Sequence, residues 1–74
     1  MKTEEIVEVD LEKLGGTPVF TGTRVPLQNF FDYLEGGETL EVFLLDFPTV
    51  SREQALGLFA LMKGRVFAEY EIAA

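Results

Sequence analysis

The run Gly16-Thr17-Pro18-Val19-Phe20-Thr21-Gly22-Thr23-Arg24-Val25-Pro26 leads straight into three short amphipathic patterns, and that order restricts the fold more than any other feature of the chain. Gly22 can take the positive φ that a tight turn requires, so Val19-Phe20 and Arg24-Val25 are predicted to flank Thr21-Gly22-Thr23 as a small β-hairpin or an irregular arm of that shape. The expected fold is mainly α: a three-helix unit of the helix-turn-helix kind over residues 26–74, with a small N-terminal β arm over residues 1–25, in one domain.

Each helix is read from its spacing. Leu27, Phe30, Phe31 and Leu34 fall at i, i+3, i+4 and i+7, with Pro26 suited to the first helical position and Gly36-Gly37 as the stop. Leu40, Phe43, Leu44 and Phe47 repeat the spacing behind Thr39 as N-cap, and Pro48 ends that helix. Ser51-Arg52-Glu53-Gln54 has the S-x-x-Q form of a capping box, after which Ala55, Leu58, Phe59, Met62 and Val66 line one face. That stripe passes through Gly57 and Gly64, each unfavourable by about 1 kcal/mol relative to alanine. One alternative ends the helix at Lys63 and makes Arg65 to Ile72 a strand; the continuous helix is preferred.

The segment before the arm is less regular. Ile6, Val7 and Val9 alternate roughly with Glu5, Glu8 and Asp10, as in a short strand whose acidic residues form a solvated face. Asp10 can cap a single turn at Leu11-Glu12-Lys13-Leu14, ended by Gly15-Gly16.

A chain of 74 residues buries only about 60% of the surface it exposes when unfolded, so its core is marginal and self-association is the natural reinforcement. Two sets of side chains supply apolar surface for it. Val42 and Leu45 lie opposite the stripe of the second helix, and Leu56, Leu61, Phe67 and Tyr70 lie outside that of the third. A homodimer is therefore expected. The apolar runs are short and the N-terminus lacks a signal-peptide pattern, so a cytoplasmic protein with no membrane segment is expected.

The side-chain inventory leaves little room for catalysis. Histidine, cysteine and tryptophan are absent, which excludes a histidine-based triad, a thiol nucleophile and a zinc site with His or Cys ligands. Asp32 with Glu35 and Glu38 with Glu41 have ordinary helix-surface spacing, and the glycines match no phosphate-binding loop. Neither catalytic residues, a metal nor a cofactor are expected. A helix-turn-helix would place Arg52 and Gln54 at base edges, with Arg24 and Lys63, beside Arg65, at phosphates. The charge opposes this: 13 acidic against six basic side chains give −7, which repels a duplex.

The Gly16–Pro26 run, together with Tyr33-Leu34-Glu35-Gly36-Gly37-Glu38, Asp46-Phe47-Pro48 and Val50-Ser51-Arg52-Glu53-Gln54-Ala55-Leu56, resembles the domain of unknown function 433, a small prokaryotic antitoxin-like family. The resemblance covers roughly residues 5–70 and implies a homeodomain-like trihelical fold with a β arm. It also implies pairing with a PIN-like ribonuclease toxin and leaves room for operator binding by the complex. Two positions depart from the usual pattern: Val42, where an acidic residue is common, and Gly64 in a tail that is normally strongly helix-forming. The family carries no enzymatic activity to transfer.

The expected function is accordingly an antitoxin-like binding module, dimeric, that neutralises a PIN-like nuclease through its C-terminal segment. In that reading Val66, Phe67, Tyr70 and Ile72 are partner-binding candidates along with Val42 and Leu45, and Glu69 and Glu71 meet basic groups. A regulator that binds DNA by itself is the alternative, with a hydrolase a distant third.

Overall fold

The stripe of Leu27, Phe30, Phe31 and Leu34 forms helix α2, Leu27–Glu35, in the computed structural model, which describes residues 1–70. Pro26 stands one position outside the helix as its N-cap, not at the first helical position. At the other end Gly37 takes φ 90°, which brings the Glu38 and Gly37 N–H groups onto the carbonyls of Tyr33 and Leu34 at 2.9 and 3.1 Å. This is a Schellman closure, and the left-handed residue in it is a glycine because a Cβ there would be strained.

Helix α3, Leu40–Asp46, begins at Thr39, whose hydroxyl accepts the Val42 N–H at 3.1 Å. Helix α4, Arg52–Tyr70, opens on the expected capping box: Ser51 Oγ accepts the Gln54 N–H at 3.0 Å, and Gln54 Oε1 accepts the Ser51 N–H at 3.1 Å. It continues through Gly57 and Gly64 without a break, so residues 65–70 are helical and not a strand. At 19 residues it is about 28 Å long.

The N-terminal part differs from expectation. A one-turn helix α1, Thr3–Ile6, precedes strand β1, Val7–Glu8, where the sequence suggests strand alone. Strand β2, Val19–Phe20, pairs antiparallel with β1, Val7 opposite Phe20 and Glu8 opposite Val19. The Arg24-Val25 side of the expected hairpin contributes only a single bond, Phe20 N–H to Val25 O at 3.0 Å, and an isolated bridge between Val19 and Pro26. The reason is Thr23: its hydroxyl donates to Phe20 O at 2.8 Å and accepts the Val25 N–H at 3.0 Å, occupying groups that a ladder would use. The Asp10 cap is present, Oδ1 accepting the Glu12 N–H at 2.9 Å. The turn it starts does not extend helically to Leu14, because Leu14, Gly15 and Gly16 take φ of 50°, 64° and 89°.

These elements meet on an aromatic core. Phe20, Phe30 and Phe43 are fully buried, with Phe30 edge-on to Phe20 at 5.9 Å and to Phe43 at 5.1 Å between ring centroids. Ile6, Val50, Ala55 and Leu58 complete the buried cluster, and Phe31, Leu34, Leu40, Leu44 and Phe47 pack against it. Since Ile6 and Phe20 come from the N-terminal segment, that segment shares one core with the helices and is no appendage.

Gly57 lets α1 approach α4. A Cβ on it would lie 2.7 Å from Ile6 Cδ1 and 3.1 Å from Ile6 Cγ1, and Ile6 is buried. Gly64, by contrast, faces open space. Gly64→Ala is therefore expected to raise helicity and to stabilise α4 by up to about 1 kcal/mol. Gly57→Ala is expected to lose that gain to overpacking, which costs about 1–3 kcal/mol. Circular dichroism and thermal melts of the two variants check this: Gly64→Ala should equal or exceed the parent melting temperature, and Gly57→Ala should fall below it.

Candidate interaction surfaces

The N-terminal turn of α4 brings together the residues that a DNA-reading helix would use, but it commits them to the fold. Gln54 is only 9% exposed. Beyond its capping role, its Nε2 donates to Thr21 O at 2.9 Å and Glu5 O at 3.2 Å, tying α4 to the turn after β2 and to the end of α1. The expectation that Gln54 reads bases is corrected accordingly: its amide is consumed by three backbone partners and points inward.

Arg52 remains at the surface but is paired. Its Nη2 lies 2.7 and 2.5 Å from the two carboxylate oxygens of Glu41, which bridges α4 to α3. The bond and charge of Arg52 hold Glu41 below the usual carboxylate range, and Glu41 in turn raises the guanidinium. Such an exposed pair adds little stability. Its effect here is to cancel the cation nearest the proposed reading position. Arg24, Lys63 and Arg65 are exposed, and the ion pairs found among the described residues involve none of them. Lys63 stands 11 residues from Arg52, about 16 Å along the helix, so these cations form no continuous track.

One acidic residue read from sequence as part of a solvated face has a definite task. Glu8 Oε1 accepts the Gly22 N–H at 2.7 Å and the Lys13 ammonium at 3.2 Å, clamping the β2 turn to β1. The Gly22 N–H, followed by Lys13, draws the Glu8 carboxyl below its ordinary value. No local pattern announces this contact, since Glu8 and Gly22 are 14 residues apart. Across the helices, Tyr33 donates to Asp46 Oδ2 at 2.7 Å, which raises the phenol and fastens α2 to α3.

The apolar candidates separate into two groups. Leu45 is 79% exposed and Leu56 is also bare; each lies one turn beyond a member of the Glu41–Arg52 pair, so they flank it on one surface. Val42 is half-buried, not bare as expected. The second group is the distal part of α4. Along its stripe, exposure rises from 0% at Ala55 to 39% at Phe59 and 51% at Val66, and beside the stripe Phe67 and Tyr70 are 46% and 71% exposed. Phe59 still stacks edge-on against Phe30 at 5.3 Å. Past Leu61 every described residue of the helix is exposed. Glu71 and Ile72, the remaining candidates of that segment, lie outside the described residues.

A shallow apolar groove of about 250 Å³ opens between the start of β2 and α2, lined by Thr17, Pro18, Leu27, Gln28 and Phe31. None of its lining comes from α4. Among the described residues no helix is long and apolar enough to cross a membrane, and no group of acidic side chains is placed to hold a metal ion. The family model described as "Protein of unknown function (DUF433)" matches residues 7–60. No curated protein and no solved structure matches the chain.

Proposed function

The chain belongs to the DUF433 family, and from that premise we propose that it is a cytoplasmic, antitoxin-like binding module, homodimeric when free, that pairs with and neutralises a PIN-like ribonuclease. The observation that carries this reading is the distal half of α4, a preformed helix whose Met62, Val66, Phe67 and Tyr70 are exposed where a small domain would normally show polar residues. A helix end with exposed aromatic and aliphatic side chains presented in this way supports docking into an apolar groove of a protein partner. Val66, Phe67 and Tyr70 are its anchors, and Glu69 supplies the acidic contact on the same turn. Leu45 and Leu56 offer a further contact surface, and Val42 a smaller one.

Recognition of DNA by the chain alone is the weaker reading, because Gln54 is buried and Arg52 is neutralised by Glu41. Operator binding by the complex remains open to the cations Arg24, Lys63 and Arg65. The test is a titration of the purified chain into a PIN-like ribonuclease, taken from beside its gene where one is encoded there, with RNA cleavage and duplex binding as readouts. Stoichiometric loss of cleavage is expected, with no submicromolar duplex binding by the chain alone at physiological salt. Undiminished cleavage at excess protein would refute the proposal, and tight duplex binding by the free chain would favour the alternative.

A further inference from the structure

Two surfaces left bare by the fold complement each other. The groove lined by Thr17, Pro18, Leu27, Gln28 and Phe31 is mostly apolar, and its face of α2 continues one turn further into Asp32 and Glu35, at i+4 from Gln28 and Phe31. Both carboxylates are exposed and neither has a cation within ion-pair distance among the described residues; Asp32 only accepts the Gln28 amide at 2.9 Å. On distal α4, Lys63, Phe67 and Tyr70 fall at i, i+4 and i+7, which puts one free ammonium and two exposed aromatic rings on a single face. An apolar groove with an acidic rim thus has its counterpart in an aromatic face with a basic residue.

The two cannot meet within one copy while α4 stays whole. The helix is unbroken from Arg52 to Tyr70, its packing against the core runs to Leu61, and none of its residues lines the groove. We infer that the groove is occupied by Phe67 and Tyr70 of a second copy of this chain, with Lys63 of that copy on Asp32 and Glu35, and that the exchange is reciprocal about a twofold axis. This rests on the reading of the free protein as a homodimer whose distal α4 is the contact element for the nuclease. It adds regulation: self-association sheathes that element, and the nuclease competes with the second copy for it.

Phe67 is 46% and Tyr70 71% exposed, so each ring has a large share of its surface left for the facing groove to cover. A twofold contact of this kind is closed, so association stops at two copies.

Electrostatics gives the proposal a test with a distinctive sign. Asp32→Lys with Glu35→Lys makes an acidic chain less negative, so general repulsion between copies falls and a dimer built elsewhere should tighten. The proposed rim contact predicts the reverse. Sedimentation equilibrium of the purified chain should show a dimer at micromolar concentration, a dissociation constant at least tenfold weaker for the double variant, and recovery when Lys63→Glu is added to it. Circular dichroism shows that each variant is folded. A dimer unaffected or tightened by the double substitution, or not recovered by Lys63→Glu, overturns the interface and leaves the homodimer reading standing. A monomer at all concentrations overturns both.

Discussion

Gln54→Glu is expected to destabilise the fold by about 3 kcal/mol at pH 7, although every local rule favours it. Glutamate suits the third position of a capping box, its carboxylate can accept the Ser51 N–H as Gln54 Oε1 does, and an acidic residue in the first turn complements the helix dipole. The cost comes from elsewhere in the chain. The amide of Gln54 donates to Thr21 O and Glu5 O through Nε2, and a carboxylate at that place would turn one lone-pair-bearing oxygen toward both carbonyl oxygens. Each lost bond costs about 1–1.5 kcal/mol, and the mutual repulsion adds to it. The carboxyl would respond by a folded-state pKa raised above its ordinary value of about 4.3. A raised folded pKa means that the protonated form is the one the fold tolerates. The deficit relative to the parent is therefore smallest below the unfolded value and grows as pH rises through the folded one. Chemical denaturation of both proteins from acid to neutral pH checks the sign. A variant as stable as its parent at pH 7 would show that the amide bonds carry no weight.

Removal of every residue after Gly64 is expected to abolish nuclease neutralisation while leaving the domain folded. Among the described residues the buried cluster ends at Leu58 and the packing against it at Leu61, so the truncation takes away no described member of the core. Val66, Phe67 and Tyr70, which it does remove, would each contribute about 1.5–3 kcal/mol if fully buried in a partner. Loss of even two of these amounts to about a hundredfold or more in affinity, at 1.4 kcal/mol per tenfold. Inhibition titrations of the truncated and full chains, with melts recorded in dilute solution, separate the effects. Loss of the folded state on truncation would show that the tail is structural.

Several parts of this fold are readable because they depend on near neighbours. The stripe from Leu27 to Leu34, the Thr39 cap, the Ser51–Gln54 capping box and the passage of α4 through Gly64 all follow from residues three or four apart. The pairing of Val7–Glu8 with Val19–Phe20 joins residues far apart in sequence, and the alternation of so short a strand does not choose between that partner and Arg24-Val25. Thr23 decides the matter through hydroxyl bonds that compete with a ladder. The roles of Gln54 and Glu8 escape sequence reading for a related reason. A polar residue in a first helical turn or an acidic residue beside a strand has an ordinary solvated reading, and only the arrival of Glu5, Thr21 and Gly22 from elsewhere gives these two their roles. The exposed end of α4 is legible as an apolar surplus, whereas the groove against α2 is not, since Pro18 of the arm and Phe31 of α2 line it together from 13 residues apart.

The central claim is that the chain contacts protein through the distal half of α4 and not nucleic acid through its beginning. Amide hydrogen exchange of the chain, free at a concentration where it is monomeric and bound to the proposed PIN-like ribonuclease, tests it most directly. The account predicts that protection gained in the complex is concentrated in residues 62–70, with exchange around Arg24, Arg52 and Gln54 unchanged. Protection gained around Arg24 and the start of α4, with residues 62–70 exchanging as in the free chain, would contradict it.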